Sequence, residues 1–145
     1  QHDNTVLGLG DGGAHVGMIC DGSFPTSMLT HWTRDRTRGD QLDLGWVIKA
    51  QTKDTAEAYG LFDRGVIAPG YKADVNLIDH AGLRLHHPTI ESDLPAGGKR
   101  LVQKADGYVA TIVSGTIIQK DGVPTGALPG KLVRGEKDAP ARAVA

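Results

Sequence analysis

The sequence predicts an α/β region followed by a β-rich one. Three observations carry that reading. An apolar run over residues 5–10 ends in an acid and two glycines. Helix-patterned stretches follow it as far as Leu61. From Phe62 to Gly135 the pattern switches to short β-type runs separated by Gly, Pro and Asp. Residues 136–145 form a polar, Ala/Pro-rich tail that is expected to fray. The expected organisation is therefore 1–61, 62–135 and 136–145.

Within the first run, Val6, Leu7 and Leu9 with interleaved Gly8 and Gly10 read as a buried strand. Asp11 falls where that strand stops, and Gly12 and Gly13 let the chain turn or pass close to something bound. A carboxylate at the C-terminal end of a buried parallel strand is where α/β-barrel enzymes keep their chemistry. A whole barrel takes about 250 residues, and this chain has 145.

Composition excludes several function classes. Sixteen basic side chains against seventeen acidic ones leave a net charge of −1 and no basic patch, which argues against nucleic acid as a partner. No apolar stretch approaches the roughly 18–20 residues that span a bilayer. Residues 1–8 show neither the basic nor the apolar region of a signal peptide. The single cysteine, Cys20, precludes an internal disulfide and fits a reducing compartment, so a cytoplasmic location is expected. The first residue is Gln rather than Met, so either residues were removed or the chain is part of something longer.

Residues 24–36 carry Phe24, Met28, Leu29 and Trp32 at helical spacing, with Ser23 placed to cap and Pro25 tolerated in the first turn. Residues 33–40 (TRDRTRGD) read as a solvated charged loop; the alternative is an anion contact by Arg34, Arg36 or Arg38. Residues 42–50 predict a short helix with Leu44, Val47 and Ile48 on one face. Asp54 and Glu57 suggest a capping box for a further helix, which Gly60 ends.

Downstream, residues 65–67 and 75–78 read as strands around a turn at Pro69 and Gly70. Residues 108–113 and 116–119 flank a hairpin turn at Ser114 and Gly115, and Lys120, Asp121 and Gly122 make the next turn. Residues 83–104 read as a long irregular segment of the kind that is often functional or docks on a neighbour. This zone resembles a piece of a β-sandwich rather than a barrel.

The order of these features resembles the C-terminal third of the amidohydrolase superfamily. The most specific stretch is TKDTAEAYGLFDRGVIAPGYKADVNLID, with Thr52, Ala56, Gly60, Leu61, Arg64, Gly65, Pro69, Gly70, Ala73 and Asp74 in sequence. Val113, Ser114 and Gly115, and the later TGALPG over residues 125–130, are similar to the branch of N-acyl-D-amino-acid deacylases. The resemblance implies a fragment: the last strand and helices of a (β/α)8 metallo-hydrolase barrel followed by the C-terminal part of a small β-sandwich. It further implies one or two divalent metals, usually zinc, whose other ligands should lie upstream. The sequence has no H-x-H of the family's first-strand kind.

By its place in the motif, Asp11 is similar to the family's metal-associated catalytic Asp at the end of the eighth strand. It would orient a metal-activated water, take its proton and pass it to the leaving amine. From the residues alone an Asx-turn or helix cap is an equal reading of Asp11. Gly12 and Gly13 would admit substrate to the backbone, and the alternative is an ordinary turn. His15 is placed to hydrogen-bond substrate or Asp11, or to bond backbone as a loop histidine. The implied substrate is a small N-acyl amino acid or related amide, and a homo-oligomer is compatible. Other superfamily chemistries (cyclic amidase, deaminase) and a non-catalytic binding module are the rival readings. His86 and His87 point opposite ways on an extended chain and are assigned to the surface. His2 and His31 are expected to be structural, Cys20 a small buried hydrophobe, and Asp74 a structural acid holding the turn into the following strand.

Overall fold

The computed structural model describes residues 2, 4–8, 10 and 15–141. Its first regular element is a 3-10 turn, Asp21–Ser23, which leads into helix α1, Phe24–Thr30. Pro25 lies in the first turn, where its missing N–H costs no helical bond. Ser23 does not cap. Its backbone is already helical (φ −81, ψ −5), and its hydroxyl donates instead to Gln103 Oε1 at 2.6 Å.

The single helix expected over 24–36 is interrupted after Thr30. Residues His31–Asp35 form a π-helical turn, with Arg36 N–H donating to His31 C=O at 2.9 Å. Side chains explain the widening. Leu29 C=O accepts the Thr33 hydroxyl at 2.5 Å and bonds His80 Nε2 at 2.9 Å. A carbonyl drawn to two side chains competes with its own ladder, and a one-residue slip is a common result.

Helix α2, Leu44–Gln51, starts at Asp43, whose backbone is extended and whose Oδ1 accepts Trp46 N–H at 2.7 Å, an ordinary N-cap. It buries Val47 and Ala50, while Ile48 faces out at 47% exposure. The expected grouping of Leu44, Val47 and Ile48 fails because successive residues are about 100° apart and the inward face continues to position i+3. Helix α3 is Lys53–Ala58. The expected capping box does not form. The helix begins one residue before Asp54, which instead takes Lys49 Nζ at 2.7 and 2.8 Å. Gly60 ends α3 as expected: at φ +71 its N–H reaches Glu57 C=O at 3.0 Å, and Leu61 N–H reaches Ala56 C=O at 2.9 Å. These two bonds make a Schellman cap.

Among the described residues eight strands follow. They are β1 Val75–Ile78, β2 Arg84–Leu85, β3 Thr89–Leu94, β4 Gly98–Val102, β5 Ala105–Asp106, β6 Tyr108–Val113, β7 Thr116–Lys120 and β8 Val123–Pro124. An antiparallel sheet runs β1-β6-β7-β8; β2 pairs with β5 and β3 with β4. Ser114 and Gly115 (φ 50 and 79) and Asp121 and Gly122 (φ 48 and 77) supply the paired positive φ of two tight hairpins. Pro124 sits on the edge strand, where no ladder donor is needed.

Three expectations are corrected here. Residues 5–8 form no strand, and Val6 is 53% exposed, because no neighbouring strand lies beside them among the described residues. Residues 65–67 belong to a loop closed by Lys72 N–H on Asp63 C=O at 2.8 Å. Residues 83–104 are not irregular: they contain β2, β3 and β4, with a 3-10 turn at Pro95–Gly97. The tail is also partly fastened. Phe62 N–H bonds Lys137 C=O and Lys137 N–H bonds Gly60 C=O, both at 2.9 Å, so the first tail residues lie against the end of α3.

The core joins the helices to the sheet. Leu29 of α1, Val47 of α2 and Leu83 between β1 and β2 are buried together. Met28, Leu42, Leu44, Trp46, Ile78 and Tyr108 pack around them. Thr26 is buried beside this cluster and shares a 2.7 Å hydrogen bond with the Tyr108 hydroxyl.

Candidate functional site

Asp11, Gly12 and Gly13 lie outside the described residues, and the geometry begins at His15. His15 is exposed and holds a left-handed backbone (φ 52). Its carbonyl accepts Met18 N–H at 2.8 Å and Ile19 N–H at 3.1 Å. The chain after the acid-glycine motif therefore curls into a compact turn. That turn is tied to the β-rich half: Leu101 N–H of β4 donates to Val16 C=O at 2.7 Å.

A side-chain bracket continues this tie. Gln103 Oε1 accepts the Ser23 hydroxyl, with Cys20 Sγ at 4.0 Å, while Gln103 Nε2 donates to His86 C=O at 2.9 Å. Cys20 is half-buried and free. Beside Gln103 opens a cleft of about 970 Å³. Its walls include Ser23, Thr26, His86, Lys104, Asp106 and Tyr108.

Within residues 33–40 Arg38 is exposed, in line with the solvated-loop reading, whereas Arg34 is tied into the fold. Its guanidinium donates to the carbonyls of His80, Ala81 (3.3 Å) and Leu83 (2.8 Å) and pairs with Asp35 at 2.6 and 3.0 Å. It locks the β1–β2 connection onto the π turn. Arg36 stacks over the Trp32 ring at 4.6 Å and donates to Arg38 C=O. His80, which carries no sequence signal, completes the clamp from below: Leu29 C=O can only accept, so its partner Nε2 carries the proton.

Several other histidines and acids have structural partners. His86 Nε2 meets Asp106 Oδ1 at 2.9 Å, and Arg84 reaches Asp106 Oδ2 at 2.9 Å. His31 makes an edge contact with Trp32 at 5.4 Å, and His2 Nδ1 accepts Asn4 N–H at 3.2 Å. Asp74 accepts Ser114 N–H at 2.8 Å with Lys72 Nζ at 3.2 Å, so it anchors the β6–β7 hairpin turn at the start of β1. Among the described residues no three His, Cys, Asp or Glu side chains converge to hold a metal ion. Nor is any described helix long and apolar enough to cross a membrane.

Ion pairing sets the acid side of stability. Arg64 beside Asp63 holds that carboxyl below its ordinary value, mainly through a direct hydrogen bond; Arg34 does the same for Asp35 and Arg100 for Asp93. Asp106 is lowered first by His86 and then by Arg84. A carboxyl lowered on folding stabilises above its unfolded pKa, about 3.9 for Asp, and loses that contribution as pH falls through the folded value. Stability should therefore hold down to about pH 4 and fall below it. Asp63→Asn should lower stability at neutral pH and flatten that acid decline, measured by urea unfolding from pH 7 to pH 2.

Comparison with known proteins gives the family. The sequence model of the amidohydrolase family matches residues 1–119, which run from the acid-glycine motif through the helices and into β7. A stretch of 32 residues is 66% identical to an adenine deaminase of Lysinibacillus sphaericus (strain C3-41); it covers 22% of this chain and 6% of that protein. No solved structure matches the chain. With more than four fifths of its length inside the family match, from the acid-glycine motif to the second strand of the β6–β7 hairpin, this chain belongs to the amidohydrolase family.

Proposed function

We propose that the chain is the C-terminal portion of a metal-dependent hydrolase that cleaves a non-peptide amide C–N bond, with an N-acyl-D-amino acid as substrate class. In this reading residues 1–61 supply the last strand and helices of a (β/α)8 barrel, and residues 62–135 the C-terminal share of a small β-sandwich. The single observation that carries it is the family match over residues 1–119, which spans the motif and the helix-to-sheet block together. The ending TGALPG and the Val113, Ser114, Gly115 turn support the deacylase branch. The lone Cys20 supports a reducing, cytoplasmic setting.

The described residues do not make a metal centre by themselves. Zinc takes three or four protein donors, and the described residues bring no such set together. Asp11 would be one donor, and the others would come from outside these 145 residues. When bound, the ion would polarise the scissile carbonyl and its water. The part that falls to Asp11 is to take a proton from the attacking water and deliver it to the leaving amine, which releases a carboxylate and a free amino acid. Gly12 and Gly13 would let the substrate lie against the backbone, and His15 would hydrogen-bond substrate or Asp11. The partner is a small amide rather than nucleic acid or membrane, and a homo-oligomer is compatible with this reading.

A deaminase is the second reading, favoured by the 66% identical stretch shared with an adenine deaminase. It uses the same hydrolytic C–N chemistry but releases ammonia from a ring carbon. The two separate in one experiment. The full-length protein, supplied with zinc, is incubated with N-acetyl-D-amino acids and with adenine. Free amino acid is expected, and its release should stop with a chelator and return with zinc. Ammonia from adenine alone would transfer the assignment to the deaminase reading, and turnover of neither would overturn the hydrolase reading for these substrates.

A further inference from the structure

We infer that Gly60, Leu61, Phe62 and Gly70 form a docking site for an extended peptide, and that residues 136–140 occupy it as a detachable strap. This site is independent of the hydrolase reading above. Its centre is a parallel β-bridge between Leu61 and Lys137. Phe62 N–H donates to Lys137 C=O, and Lys137 N–H donates to Gly60 C=O, both at 2.9 Å. Main-chain pairing of this kind is how an exposed backbone edge takes in an added strand. The Lys137 side chain takes no part in it, since its Nζ turns back to Arg134 C=O at 2.7 Å.

Two glycines make room for the strap. A Cβ at Gly60 would lie 2.8 Å from Glu136 Cγ, and one at Gly70 would lie 2.8 Å from Pro140 Cβ. Within residues 134–141, Lys137 and Pro140 are half-buried and the others are exposed. The strap therefore rests on its site at two points three residues apart, and it joins both ends of the loop from Gly60 to Gly70.

The chain leading to the strap leaves it free to detach. The last firm tie of the sheet is Thr125, whose N–H bonds Ile118 C=O at 2.9 Å and whose hydroxyl bonds Ile117 C=O at 2.8 Å. Among the described residues no hydrogen bond holds residues 128–133, and Leu128 and Leu132 are 94% and 75% exposed. A short flexible tether presents its end at roughly millimolar effective concentration. A weak site thus stays filled while the tether is intact and empties once it is cut. A segment with so few contacts opens locally while the rest of the domain stays folded. The chemistry that the site takes is that of the strap: a free main-chain N–H and C=O at one residue, and a proline three residues on.

The test uses the full-length protein with a protease recognition sequence placed within residues 128–133. The protein folds with its strap attached, is cut, and is passed through gel filtration. Amide hydrogen exchange at Phe62 is expected to speed up about tenfold or more, with exchange in β6 and β7 unchanged. An excess of synthetic peptide covering residues 134–141 should restore the slow exchange. The peptide carrying Lys137→Ala should do so at a similar concentration, because only the main chain of that residue is used. The peptide carrying Lys137→Pro has no N–H at that position and should need about tenfold more or fail. A strap that stays bound through gel filtration, or unchanged exchange at Phe62 after its removal, would overturn the inference. So would faster exchange in β6 and β7 as well, a peptide that restores nothing, or equal restoration by the alanine and proline peptides.

Discussion

Asp11→Asn in the full-length protein should abolish turnover. Asparagine keeps the size and one carbonyl oxygen of aspartate but has no carboxylate to accept a proton at neutral pH. General acid–base transfer of this kind contributes about 10²–10⁴-fold, and the proposed metal donor is weakened in the same step. The fold should survive. The described core is built around Leu29, Val47 and Leu83, all far from residue 11 in sequence. Steady-state kinetics and a urea unfolding curve on the same preparation check both halves. A variant with normal stability and wild-type kcat would remove Asp11 from the mechanism, and the Asx-turn reading would replace it.

The second large effect concerns the fold. Gly107→Ala should destabilise the protein by about 2–5 kcal/mol, the sum of the cost of a left-handed backbone and of overpacking. Gly107 separates β5 from β6 at φ +96. A methyl group there would lie 2.6 Å from Leu83 Cα, 2.9 Å from Leu83 N and 3.0 Å from Asp79 O. All three are backbone atoms, and Leu83 is fully buried at the centre of the core. Neither partner can swing aside as a flexible side chain would. Asp79 N–H also donates to Gly107 C=O at 2.9 Å, so a shift that relieves the contact breaks a hydrogen bond. Chemical denaturation measures the loss, and a change below about 0.5 kcal/mol, the range of an ordinary surface substitution, would contradict the close approach.

What could be read in advance was local. The β6–β7 hairpin announced itself because Ser114 and Gly115 are turn residues between two β-rich runs, and strand β1 matched its expected range. Gly60 was legible as a helix end for the same reason: one residue type, one backbone conformation. Long-range contacts left no such trace. The slip into a π turn at His31 depends on His80, forty-nine residues away, and nothing in residues 31–35 reveals it. Arg34 looked like a solvated or anion-binding charge because its three carbonyl partners come from the β1–β2 connection. Strands β3 and β4 carry no clear sequence signal because β3 is largely exposed and β4 is half-buried at four of its five positions, so no apolar alternation marks them. The turn residues Pro95, Ala96, Gly97 and Gly98 between them were the available signal.

The site divides in the same way. Asp11, Gly12, Gly13 and His15 are visible as a motif because the order of acid, glycines and histidine is compact in sequence. Gln103, His80 and Ser23 join the picture only through folding, since each acts on a residue far along the chain. The family match over residues 1–119 draws both groups into one unit.

The most direct test is the intact mass of the polypeptide as its source cell makes it. These 145 residues weigh 15.3 kDa. A complete barrel of about 250 residues with its accompanying sheet domain requires roughly three to four times that mass, and the account predicts a value in that range. A native mass of 15.3 kDa would contradict it, because Asp11 would then have no further ligands with which to hold a catalytic metal.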